Sequence, residues 1–177
     1  HPEMELVMRV MPMPEDASRI NGIYDKDLVA SPSFAKLSYE LWNMFDGSDV
    51  GGFNITGFDL PFLRGEFASV GKNFDYAKKR VLDAKILYHK MTPKNMFAPR
   101  NLSAAYKLYF GKEHTTAHTG AGDVRVTVEI LEKQLEQYPE FRDWDFLAEL
   151  HGNKKLLESV RTEHAPLISS QPSGTLF

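Results

Sequence analysis

The chain has 177 residues, 42% hydrophobic and 12% aromatic, which is enough apolar mass for one domain with a sizeable core and too much for a disordered chain. Cysteine is absent, which excludes disulfides, thiolate zinc sites and cysteine nucleophiles, and leaves oxygen and imidazole donors suited to magnesium or manganese. The net charge of −3 lacks the basic excess usual in nucleic-acid binders; without a run of about 20 apolar residues or an amino-terminal signal, a soluble, cytoplasmic protein with no membrane partner is expected.

Met4, Leu6, Met8 and Val10 alternate with Glu5, Val7 and Arg9, a period-two pattern that predicts a strand with one buried face, ended by Pro12 and Pro14. The stretch RINGIYDKDL reads as a loop. Ser31, Pro32 and Ser33 then precede a helical pattern of Phe34, Leu37, Leu41, Met44 and Phe45, closed by Gly47. DVGGFN, residues 49 to 54, predicts a short buried strand. After it Asp59 stands at an expected N-cap, with Pro61 in the first turn, Leu63, Phe67 and Val70 on one face, and Gly71 as the stop.

RVLDA, residues 80 to 84, predicts a second core strand leading into KILYHKM, and TPKNMFAPRN a loop. LSAAYKLYFG is a compact helix ending at Gly111. From Asp123, the apolar positions Val124, Val128, Leu131, Leu135 and Tyr138 mark a long amphipathic helix that ends before Pro139. A further amphipathic piece runs through WDFLAELHGNKKLLESV, and SSQPSGTLF is a polar tail. Strands alternating with helices predict an α/β domain with a mixed sheet covered by helices. Charge is distributed unevenly: between Tyr76 and Arg100 seven basic residues face the single acid Asp83, which is either a solvated helix face or a surface for phosphates.

Two segments hold residues suited to chemistry. In NITGFDLPFL, Asp59 can cap a helix, while Asn54 and Phe58 can serve loop stability and core packing. In HTTAHTGAGD, His118 precedes Asp123 by five positions in a glycine-containing loop that opens onto the long helix; His114 and the other histidines read as surface residues. Taken in order, a strand, NITGFDLPFL, a strand ending at Asp83, the LSAAYKLYFG helix and AHTGAGD before a long helix resemble the DEDDh family of 3′-5′ exonucleases, the proofreading-subunit-like branch of the ribonuclease H-like superfold. The resemblance runs from about Met4 to Tyr138. RINGIYDKDL is similar to the family's His-Gly-Ile-Thr segment, with Asn21 and Tyr24 replacing its His and Thr.

The resemblance implies phosphodiester hydrolysis at the 3′ end of single-stranded DNA or RNA by two magnesium or manganese ions about 4 Å apart. On that likeness Asp59 organises the metal centre, Asp123 is a direct ligand and His118 is the general base. Asn54 and Phe58 line the place of the terminal nucleotide by hydrogen bonding and by stacking. Gly120 and Gly122 let the loop carry His118 close to the ions. A polymerase or a repair protein is the kind of partner the likeness admits.

The family's first motif, an Asp-x-Glu on its opening strand, does not occur in the sequence, and the first residue is His. The expectation is therefore a ribonuclease H-like sheet truncated at its N-terminal strand, in an exonuclease-like domain over residues 1–140 followed by a helical extension and tail over 141–177. With two carboxylates in place of a full set, activity of this polypeptide alone should be low. A non-catalytic nucleic-acid or protein binding module that kept the fold is the alternative. A metal-dependent phosphatase on an unrelated α/β fold is disfavoured, because no phosphate-cradling glycine loop followed by Lys is present.

Overall fold

A computed structural model of the chain describes residues 12–92, 99–114, 120–152 and 154–164. The strand expected over Met4–Val10, the polar tail and the middle of the TPKNMFAPRN loop lie outside the described residues. The stretch read as a loop holds two short helices, α1 (Glu15–Asn21) and α2 (Asp25–Leu28). Acids in the first turn of each favour the helix start. Gly22, at φ 73°, closes α1 in the left-handed conformation, and Tyr24 and Asp27 form a reciprocal cap on α2.

Helix α3 (Phe34–Phe45) follows where its periodicity placed it, then β1 (Val50–Gly52) and α4 (Asp59–Ser69). The second strand, β2 (Val81–Asp83), runs parallel to β1 in the register Val50↔Val81, Gly51↔Leu82 and Gly52↔Asp83. Only this parallel pair is present among the described residues, so the sheet is smaller than the mixed sheet expected. Helices α5 (Ala84–Met91), α6 (Leu102–Phe110) and α7 (Gly120–Gln137) complete the part that bears the candidate site, and α8 (Trp144–Gly152) and α9 (Lys154–Glu163) follow.

Three apolar clusters hold these elements. Val50, Leu60, Phe67 and Phe74 pack β1 between α3 and α4, with Phe67 edge-on to both Phe34 and Trp42. Ala84, Tyr88, Ala105, Tyr109, Val126 and Ile130 join α5, α6 and α7. The other face of α5, through Leu87 and Met91, meets Tyr138, Phe141, Leu147 and Val160, so the helices beyond residue 140 share a core with α5. Arg161 also donates to the Lys90 carbonyl.

The α5–α6–α7 junction is pinned by one polar side chain. Gln134 is fully buried, and its Nε2 donates to the Ala84 carbonyl at 3.0 Å and to Tyr109 Oη at 3.1 Å. Burial holds the Tyr109 hydroxyl far above its ordinary pKa, which keeps it neutral for this role.

Candidate active site

Both strands deliver their carboxyl ends to one place. Asp83 is the last residue of β2 and directly precedes α5, and the loop after β1 folds over it. Its carboxylate is buried and fully engaged. Oδ1 accepts from Asn54 N at 2.9 Å and from Lys85 N at 3.0 Å; Oδ2 accepts from Thr56 N at 3.1 Å and Thr56 Oγ1 at 2.6 Å. One acid therefore caps α5 and fixes the shape of residues 54–56.

Asn54 takes φ 66°, a left-handed conformation that Asn tolerates better than most residues. Its carbonyl receives the N–H groups of Gly57 and Phe58, both at 3.1 Å, and its side-chain oxygen accepts from Lys85 Nζ at 3.1 Å. A Cβ at Gly57 would lie 2.8 Å from Asn54 Oδ1, so a side chain there would push the amide from its place. Asn54 thus serves the loop-stabilising role that its residue type allows, with its amide tied to Lys85.

The turn launches α4 with its first residues outward. Asp59 was expected as the N-cap; instead Phe58 holds that position without a side-chain capping bond, and Asp59 is the first helical residue. The anchor is Leu60, which is fully buried and whose N–H bonds the Ile55 carbonyl at 2.9 Å. Phe58 is 65% exposed and stacks on Phe62 at 6.3 Å with an interplanar angle of 8°, so core packing does not account for it. Asp59 is exposed by surface area, yet its pKa is raised. Desolvation by its crowded surroundings is the main cause, its own backbone N–H opposes it, and the negative Asp83 adds to it.

Asp123 lies in the first turn of α7. His114 Nε2 stands 3.5 Å from Asp123 Oδ1, and the His114 side chain is only 2% exposed. That corrects the reading of His114 as a surface residue: the chain turns back after Gly111, at φ 65°, and seats the ring between α6 and α7, 6.0 Å from the Tyr106 ring. His118 lies outside the described residues. The structure brings Asn54, Phe58, Asp59 and Asp83 into one junction and places Asp123 with His114. No group of three or more acid or histidine side chains able to hold an ion occurs among the described residues.

Four residues of the basic stretch have separate partners. Lys78 pairs with Asp75, Lys79 donates to the carbonyls of Phe45 and Ser48, Arg80 lies over Trp144 and Lys85 holds Asn54. A groove of about 390 Å³, lined by Trp42, Phe45, Asp49, Phe74 and Lys79 among others, lies at the N-terminal end of β1 and contains none of the expected site residues. Open α/β sheets bind their ligands at the carboxyl ends of strands, which favours the Asp59–Asp83 junction over this groove. No described helix is long and apolar enough to cross a membrane.

The sequence reading did not single out Asp83 and His114 beside the candidate residues. Asp83 had a signal, an acid between an apolar strand and a helix start. His114, flanked by Glu113 and Thr115, had none.

Residues 4–131 match the family model of the exonucleases named RNase T. The chain is also similar to two curated proteins of Arabidopsis thaliana, Protein NEN1 at 30% identity over 113 residues and Protein NEN2 at 27% over 113 residues. Each alignment covers 64% of this chain but only 23% and 22%, respectively, of the relative. The chain therefore spans well under two thirds of the length of these relatives.

Proposed function

The chain belongs to the RNase T exonuclease family, and from that premise we propose that it serves hydrolysis of phosphodiester bonds from the 3′ end of a single strand of DNA or RNA, assisted by divalent metal. Membership supports nucleic acid as the substrate class and hydrolysis as the reaction class. The observation that carries the finer reading is the junction at the carboxyl ends of two parallel strands, where a buried Asp83 fixes a loop that presents an exposed aromatic ring and an exposed acid side by side.

The donor chemistry fits one hard ion. Magnesium is commonly held by one or two carboxylates, completed by substrate phosphate and water. Asp59 and Asp123 both supply carboxylate oxygens, the Asp123 side chain is 37% exposed, and cation binding would offset the desolvation that raises the Asp59 pKa. A bound divalent ion would stabilise charge developing on the phosphodiester oxygens. In this reading Asp59 and Asp123 hold it and His118 takes the proton of the attacking water. The exposed Phe58 ring stacks on the terminal base. Asn54 keeps the loop in shape beneath it.

A second ion calls for more acids than these two, and no Asp-x-Glu pair occurs within the 177 residues. We therefore propose that this polypeptide alone turns over slowly. The same shortage favours, as a second reading, a module that binds nucleic acid or protein without cleaving.

The test is release of mononucleotides from a labelled single strand with magnesium or manganese. This chain is compared with a version extended by an upstream Asp-x-Glu strand. The extended form should release nucleotides from the 3′ end, and His118→Ala in it should lower kcat about 10²–10⁴-fold, the usual worth of a general base. Inactivity of both unmutated forms, with folded spectra and retained binding of the strand, would favour the non-catalytic module.

A further inference from the structure

His114 is a titratable side chain with no role in the chemistry assigned so far. Its ring is buried, and neither ring nitrogen has a hydrogen-bond partner among the described residues. A buried polar group without a partner is costly, so such a residue needs a reason to be there. Its Nε2 stands 3.5 Å from Asp123 Oδ1, about half an ångström beyond a normal N–H···O bond.

Both neighbours hold the ring in place. Tyr106 of α6 lies beside it, and Tyr106 Oη donates to Glu129 Oε2 of α7 at 3.1 Å, so the two helices that flank His114 are tied to each other. The Asp123 side chain is 37% exposed. Its Oδ1 thus lies toward the buried imidazole while part of the side chain is open to solvent. A carboxylate that coordinates an ion is commonly steadied in this way by a donor behind it.

We propose that His114 is a positioning residue for Asp123: Nε2–H donates to Oδ1 and fixes the carboxylate so that it can bind a divalent cation. This rests on the reading of Asp123 as a metal ligand. Burial keeps His114 from the attacking water, so the role is distinct from the base role given to His118.

The test uses the full chain, with manganese alone as the probe. His114→Phe keeps a ring in the cavity and removes the donor; His114→Gln restores an N–H. Free manganese, measured by electron paramagnetic resonance, should show affinity weakened about tenfold in His114→Phe, in line with the usual effect of removing such a partner, and largely recovered in His114→Gln. Asp123→Asn should weaken it at least as much. In a long-range ¹H–¹⁵N spectrum of the unmutated chain, Nε2 of His114 should carry a proton, and its shift should move in Asp123→Asn.

Manganese affinity unchanged within twofold in His114→Phe, alongside loss in Asp123→Asn, overturns the positioning role and leaves the metal reading standing. Unchanged affinity in Asp123→Asn, or no binding at all, removes the metal reading and the inference with it. Should His114→Phe fail to fold, the spectrum decides: an unprotonated Nε2, or one indifferent to Asp123→Asn, overturns the proposal.

Discussion

The two acids nominated for metal binding sit in contrasting settings. Around Asp59 the loop after β1 is fastened by Asp83, whose two oxygens receive four donors. At the head of α7, Asp123 has beside it a buried imidazole whose nitrogens find no hydrogen-bond partner among the described residues. In the first setting both oxygens of the fastening acid are paired. In the second the imidazole stands 3.5 Å from the Asp123 carboxylate. A site can thus be preorganised on one side and still be finished by binding on the other.

Replacing Asp83 tests the first half most severely. Asp83→Ala strips the acceptor from two backbone N–H groups of the loop, one hydroxyl and the α5 cap, and should cost roughly 2–4 kcal/mol, since these donors are only partly buried and each lost hydrogen bond is worth about 0.5–1.5 kcal/mol. Urea unfolding followed by circular dichroism measures it, and a loss under 1 kcal/mol would mean that the loop holds its shape without the acid.

Gly57→Ala probes the same loop sterically. Its new Cβ would meet Asn54 Oδ1 at 2.8 Å and displace the amide from Lys85, for a loss of about 0.5–1.5 kcal/mol, the usual worth of one hydrogen bond. Combining it with Lys85→Met should give less than the sum of the two single effects, because both act through Asn54.

On the other side, His114→Phe should change stability by no more than about 1 kcal/mol, because it removes a buried polar group that lacks a full partner. A loss comparable to that of Asp83→Ala would erase the contrast between the two settings.

The smallest effect expected is a gain. Desolvation raises the pKa of Asp59 in the folded chain, so its ionised form weakens folding at pH values above that raised pKa. The penalty shrinks as pH falls through that raised pKa and is gone below the ordinary aspartate value of 3.8. Asp59→Asn should accordingly raise the melting temperature slightly at pH 7 and leave it unchanged near pH 3 while, on the proposed reading, weakening manganese binding. A site residue that costs stability is a familiar signature of function.

The sequence made the element order legible wherever apolar spacing was regular: α3, α4, α6 and α7 lie close to where their stripes placed them. It misread α1 and α2 as loop, since both are short helices that depend on end capping rather than on an apolar stripe. The N-cap at Asp59 failed for a related reason. The buried Leu60 and the Ile55 carbonyl set the start of α4, and neither is visible in a capping motif. Asp59 and Asp123 were named from order and context, whereas the burial of His114 depends on how α6 and α7 close on each other, a long-range property that its polar neighbours conceal.

Gln134 has a consequence for motion. Because one buried amide links the start of α5, the end of α6 and the body of α7, these three helices should open to solvent together. In native-state hydrogen exchange their slowest amides should share one opening free energy, with the α5 amides next to Asp83 among them. The amides of α1 and α2, whose contacts are mostly local, should exchange by fraying at far lower cost. The floor under the candidate site would then behave as one cooperative unit.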